Sequence, residues 1–86
     1  MDVIFHKWFE KQYQKLSSKL QLRVDSRIRI FISDPFNAQL HNHPLAGKYI
    51  GYWSINITGD YRAIYYFLND EAVKFVVIDT HSNLYE

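Results

Sequence analysis

Eighty-six residues, 48% of them hydrophobic, suffice for one domain with a single modest core and exclude a second. The absence of cysteine excludes a disulfide framework and any thiolate metal site, which suits a reducing compartment. Ten Lys and Arg against nine Asp and Glu leave a formal net charge of +1, too weak a field to announce a nucleic-acid partner by itself.

The charge is unevenly spread. Lys7, Lys11, Lys15, Lys19, Arg23, Arg27 and Arg29 make the first third basic, whereas Asp70, Glu71, Asp79 and Glu86 lie towards the end. No long apolar run suits a membrane span, and the opening MDVIFHKWFEKQYQK lacks the order of a signal peptide, so a soluble cytoplasmic protein without membrane contact is expected. Aromatic residues reach 17%, more than so small a domain buries easily, which leaves some for a partner protein or for bases to stack on.

In chain order, DVIF reads as a short strand, with His6 capping it or starting the helix that follows. Phe9, Tyr13, Leu16 and Leu20 then recur at helical spacing. Ser17-Ser18 offers a break and a new N-cap. The stretch KLQLRVDSRIRIFISDP satisfies both a strand alternation and a helical stripe through Leu20, Val24, Ile28 and Phe31. Its length and its stop at Asp34-Pro35 decide for helix. Residues 34 to 48, with both prolines, form a loop long enough to suspect a function.

Three strands follow. YIGYWSINI and YRAIYYFL flank a TGD turn, and AVKFVVID comes after NDE, so short connections make an antiparallel meander. Two helices ahead of it must cover one face. The expected fold is therefore a two-layer α+β domain over residues 1–86, in the order β-α-α-β-β-β, with two N-terminal helices on a small antiparallel sheet.

HPLAGKYIGYWSINITGDYRAIYY, followed after one more strand by DTHSNLY, resembles the RelE superfamily of bacterial toxins, especially its YafQ and YoeB branches. The likeness is close over residues 43 to 85 and rests before residue 40 on element order alone. It implies a small ribosome-dependent endoribonuclease that uses no metal or other cofactor. Such an enzyme cuts mRNA in the A site of the 30S subunit and is held inactive by a cognate antitoxin. The chemistry implied is attack by a ribose 2′-hydroxyl on the adjacent phosphate, which needs a proton acceptor, a proton donor and stabilisation of extra negative charge.

The resemblance distributes these tasks. His43 stands where these branches place Glu or His before the Pro-Leu pair, and an imidazole is a workable proton acceptor near neutral pH. The alternative is a surface histidine ordering the Pro44 turn. Arg62 matches an arginine that steadies the scissile phosphate, its planar fork suiting two phosphate oxygens; a structural ion pair with Asp60 or Asp79 is the alternative. His81 matches the proton donor to the leaving 5′-oxygen, and Tyr85 a residue that stacks on a base or steadies the nucleophile. Asp60 either orients a histidine or is a hairpin-turn residue. Lys48 and Tyr49, with Tyr52 and Trp53, can supply phosphate neutralisation and stacking.

Alternation along the strand points Trp53 inward and Ser54 and Asn56 to the outer, active face, where RNA would lie. His41 reads as a plain loop residue. In three places the chain departs from its relatives: Ser54 and Asn56 replace ionisable or basic groups, and Val77 replaces an arginine. Two further readings therefore stand beside the nuclease: a ParE-like toxin that inhibits DNA gyrase, and a protein that occupies the ribosomal A site without cutting.

Overall fold

The computed structural model describes residues 1–84. The chain runs β1 (Asp2–Phe5), α1 (Lys7–Gln14), α2 (Ser18–Ser33), β2 (His43–Pro44), β3 (Trp53–Asn56), β4 (Tyr61–Asn69), β5 (Ala72–Thr80) and α3 (His81–Leu84). Both long helices start where local chemistry supplies a cap. The His6 Nδ1 accepts the Trp8 amide at 3.0 Å, and the Ser17 Oγ accepts the Leu20 amide at 3.2 Å. At its far end α2 stops at Asp34, which leaves the helical conformation ahead of Pro35, so helix is the outcome for the ambiguous stretch.

The five strands form one sheet in the order β1-β5-β4-β3-β2. After β1 the helices carry the chain across one face to the far edge. It then returns strand by strand until β5 lies beside β1 in parallel. The meander is antiparallel, as expected, and the sheet gains the two-residue β2 and a parallel edge. The strand expected from Tyr49 begins only at Trp53. Gly47 and Gly51 both take positive φ and bend residues 47–49 into a 3-10 turn before the chain can extend.

The core lies between the helices and one face of the sheet. Phe9 from α1 and Val24, Ile28 and Phe31 from α2 meet Ile55, Ala63, Tyr65, Val73, Phe75 and Ile78. Phe31 sits at the centre, edge-on to the Tyr65 ring at 4.9 Å and to the Phe75 ring at 5.3 Å. Where β1 ends, α1 takes over the border of β5, and the Gln12 Oε1 accepts the Ile78 amide at 2.9 Å. Between β4 and β5 the register jumps from Ile64 opposite Val77 to Tyr65 opposite Phe75, so Val76 is an extra residue in a bulge.

The opposite face of the sheet carries Asn56, Arg62, Ile64, Tyr66 and Val77. There the loop after β2 and the helix after β5 fold back over it, bringing Leu45, Tyr49 and Leu84 against Ile64. No helix among the described residues is long and apolar enough to cross a membrane.

Candidate active site

On this second face His41, His43, Asn56, Arg62 and His81 line an open cleft of about 570 Å³, with Pro44, Leu45 and Ala46 completing its wall. The register explains the meeting. Asn56 lies opposite Arg62, and Arg62 opposite Asp79, so three neighbouring strands present these side chains side by side. β2 adds His43 at the edge, opposite Ser54, and α3 begins at His81 directly after β5.

His43 is held by its own loop. Its Nδ1 lies 2.7 Å from the His41 carbonyl oxygen. A carbonyl only accepts, so Nδ1 carries the proton and the neutral ring keeps its lone pair on Nε2. That carbonyl is aimed by a left-handed backbone at His41, with φ 48°. His41, read from the sequence as a plain loop residue, thus fixes the tautomer of its neighbour through its backbone. Its positive φ leaves little trace in a sequence, since that region is uncommon even for histidine, one of the residues enriched there.

Arg62 makes no ion pair with Asp60 or Asp79. Its Nη1 instead donates to the carbonyls of Thr58, Gly59 and Tyr61 at 3.0, 3.1 and 3.2 Å, which locks the guanidinium under the β3–β4 turn. The other two nitrogens of the fork make no hydrogen bond among the described residues. Asp79 is occupied elsewhere, its Oδ1 accepting the Thr80 amide at 2.7 Å and the Asn83 Nδ2 at 3.1 Å.

The tail is built by the same short motif that carries the histidine. The Thr80 Oγ1 accepts the Asn83 amide at 3.3 Å and caps α3, while the His81 amide donates to the Asp60 carbonyl at 2.8 Å. His81 is thereby fixed at the rim of the cleft. Asp60 is a turn residue that holds His81 through its main chain, and its carboxylate makes no hydrogen bond among the described residues. Tyr85 lies outside the described residues.

Of the expected RNA contacts, Asn56 lines the cleft and Ser54 does not. Ser54 has no accessible surface, and its Oγ is buried without a hydrogen-bond partner among the described residues. Although it shares the face of Asn56 and stands opposite His43 in the sheet, its side chain is sealed, unlike the outward position expected for it. Trp53 points inward as alternation requires and packs on the core. Lys48 and Tyr49 stand outside the cleft, in a second groove on the same face that also holds Val77.

Two tyrosines anchor this arrangement. Tyr65 rises from the core and donates to the Asn42 Oδ1 at 2.8 Å, and Asn42 in turn donates to the Pro35 carbonyl at 2.8 Å. Burial pushes the Tyr65 hydroxyl up to about 12, against a smaller opposing effect of the Asn42 hydrogen bond. Tyr49 ties the loop after His43 to α3 by a 2.8 Å hydrogen bond to the Leu84 carbonyl. Among the described residues no carboxylate lines the cleft, so a guanidinium and three imidazoles face an anion without competition. Nor does any group of three or more His, Asp or Glu among them stand close enough to hold a metal.

The family model of the bacterial YafQ toxin of type II toxin-antitoxin systems matches residues 1–86. Among solved structures, the chain is similar to YafQ from E. coli strain BL21(DE3), at 24% identity and a TM-score of 0.78, over 99% of this chain and 98% of that one. It is also similar to a YoeB/ParE toxin from Agrobacterium tumefaciens, at 22% identity and a TM-score of 0.77, over 94% and 99% of the two chains. The toxin in an E. coli DinJ-YafQ toxin-antitoxin complex matches at 22% identity and a TM-score of 0.73, over 99% and 97%. At these identities the structural matches speak for the fold. No curated protein matches the chain.

Proposed function

Since the chain belongs to the YafQ family of type II toxins, we propose that it is an endoribonuclease that cuts mRNA on the ribosome, with the cleft of His43, Arg62 and His81 as its active site. The observation that carries this reading is the convergence of two imidazoles and a half-committed guanidinium on one cleft without a carboxylate among the described residues. A phosphodiester is the substrate such a lining suits.

In the proposed reaction the His43 Nε2 removes the proton of a ribose 2′-hydroxyl. The resulting oxygen attacks the adjacent phosphorus, and the bond to the 5′-oxygen of the next nucleotide breaks. His81, in its protonated form, gives that oxygen a proton as it leaves, so the products are a 2′,3′-cyclic phosphate and a free 5′-hydroxyl. Arg62 meets the extra charge of the transition state with Nη2 and Nε, while Nη1 keeps its carbonyls. Asn56 supplies a neutral donor beside it. Asp60 supports His81 through its main chain, and Tyr85 is assigned a stacking role on the resemblance alone.

An A-site-programmed ribosome with primer extension tests the proposal. Wild-type protein should produce a new 3′ end within the A-site codon, and His43→Ala or His81→Ala should slow its appearance by about 10²- to 10⁴-fold. Unchanged cleavage by both variants ends the nuclease reading. A second reading, A-site occupation without cutting, draws on the neutral Asn56 and the sealed Ser54, where relatives present ionisable groups; it requires translation arrest with no new 3′ end. A cognate antitoxin is proposed as partner on the strength of the family, one of whose members forms the DinJ-YafQ complex.

A further inference from the structure

The second groove on the open face is unlike the cleft in its lining. It is bordered by Trp8 and His6 from the start of α1 and by Lys48, Tyr49 and Tyr52 from the loop, with Ile64, Tyr66 and Val77 as floor, and measures about 580 Å³. Trp8 is 63% exposed although it is one of the largest apolar side chains in the protein. Among the described residues the His6 ring leans on it, at 5.2 Å and 58°. Across the groove Tyr52 meets Tyr66 edge-on at 5.7 Å, and both rings line it.

Charge distinguishes this groove from a site for an apolar peptide. Among the described residues no carboxylate lines it, Lys48 stands at its rim 5.3 Å from the Tyr49 ring, and Lys74 lies opposite Tyr66 in the sheet register. Aromatic faces interleaved with cations and free of acids match unpaired bases on a phosphate backbone. Leu45 borders the cleft, Tyr49 and Leu84 border the groove, and the three meet at Ile64, so cleft and groove adjoin on one face and one strand can reach both.

We infer that this groove is a second RNA subsite, in which unpaired bases of the strand held by the cleft stack on Trp8 and on the Tyr52–Tyr66 pair, with Lys48 and Lys74 at their phosphates. The inference rests on the nuclease reading for its substrate. It adds residues, Trp8 and Tyr66 above all, that contribute affinity and sequence preference but no proton transfer.

The test is a titration of the full-length protein with an uncleavable single-stranded RNA nonamer of mixed sequence, 2′-O-methylated throughout, followed by tryptophan emission. Trp53 packs on the helix side of the sheet, so quenching should be lost in Trp8→Phe while binding persists. Trp8→Ala and Tyr66→Ala should each weaken binding about tenfold. On the programmed ribosome Trp8→Ala should raise KM or shift codon preference with kcat nearly unchanged. RNA affinity equal to wild type in both alanine variants overturns the inference and leaves the nuclease reading standing. Loss of antitoxin neutralisation alone in those variants makes the groove a protein site and also overturns it. Unchanged ribosomal cleavage by His43→Ala and His81→Ala defeats the nuclease reading, whereas the groove is judged by the RNA titration.

Discussion

The Tyr49 hydroxyl donates a 2.8 Å hydrogen bond to the Leu84 carbonyl, 35 positions along the chain. This bond joins the loop that follows His43 to the short helix that begins with His81. The two imidazoles belong to segments with little packing of their own, and the bond holds those segments against Ile64.

Tyr49→Phe keeps the ring and deletes the bond. It should cost about 0.5–1.5 kcal/mol of stability, measured by urea denaturation. Ribosomal cleavage should fall by about tenfold through kcat, because a small misplacement of catalytic groups is costly. Cleavage at the wild-type rate would show that the bond does not set the distance between the histidines.

The His41 carbonyl, and not its side chain, orients His43. His41→Gly and His41→Asn both tolerate a left-handed backbone and should cleave within a few-fold of wild type. His41→Val should lose stability by about 1–2 kcal/mol and activity with it, since a branched residue resists positive φ. Equal activity of the glycine and valine variants would contradict the backbone role.

Ser54→Ala removes a buried hydroxyl that has no partner among the described residues. Stability should rise or hold, by up to about 1 kcal/mol, and cleavage should not change. Ser54→Asp, which places an ionisable group there, should instead destabilise by about 3 kcal/mol or more, because the carboxylate would be sealed away from water. Thermal melts of the two variants decide between these outcomes, and a large loss of cleavage in Ser54→Ala would return Ser54 to the site.

Tyr65 gives the fold a limit at high pH. Burial raises the hydroxyl from its ordinary 10.0 to about 12, so the folded state holds the proton more tightly than the unfolded chain. That contribution is fully present below pH 10 and is lost as pH rises from 10 through 12. Wild type should lose stability over this interval. Tyr65→Phe, though weakened at neutral pH by the unpaired Asn42 oxygen, should lose less there. Denaturant midpoints at pH 9 and pH 11 measure it, and parallel losses in the two proteins would contradict the assignment.

Much of the fold was legible in local patterns. The Ser17 cap, the Asp34-Pro35 stop and the stripe of Val24, Ile28 and Phe31 act within a few residues, as helix signals do. β4 and β5 followed from alternation between turn residues. The start of β3 was misplaced because glycine at positive φ ends a strand pattern without breaking its hydrophobic alternation. The parallel seating of β1 was beyond reading, since it depends on where the helices deliver the chain.

The residue types of the site, a histidine ahead of Pro-Leu, an arginine on a strand and a histidine after the last strand, stood in the sequence, because a resemblance of motifs preserves chemistry at given positions. What only the folded chain decided was their company. Arg62 turned to main-chain carbonyls instead of a carboxylate, His41 acquired a role through its backbone, Ser54 was sealed, and Trp8 was brought to the face that holds Tyr66. Each of these depends on contacts between segments far apart in the chain, and side-chain pattern along a strand or helix carries no information about which segment will arrive opposite it.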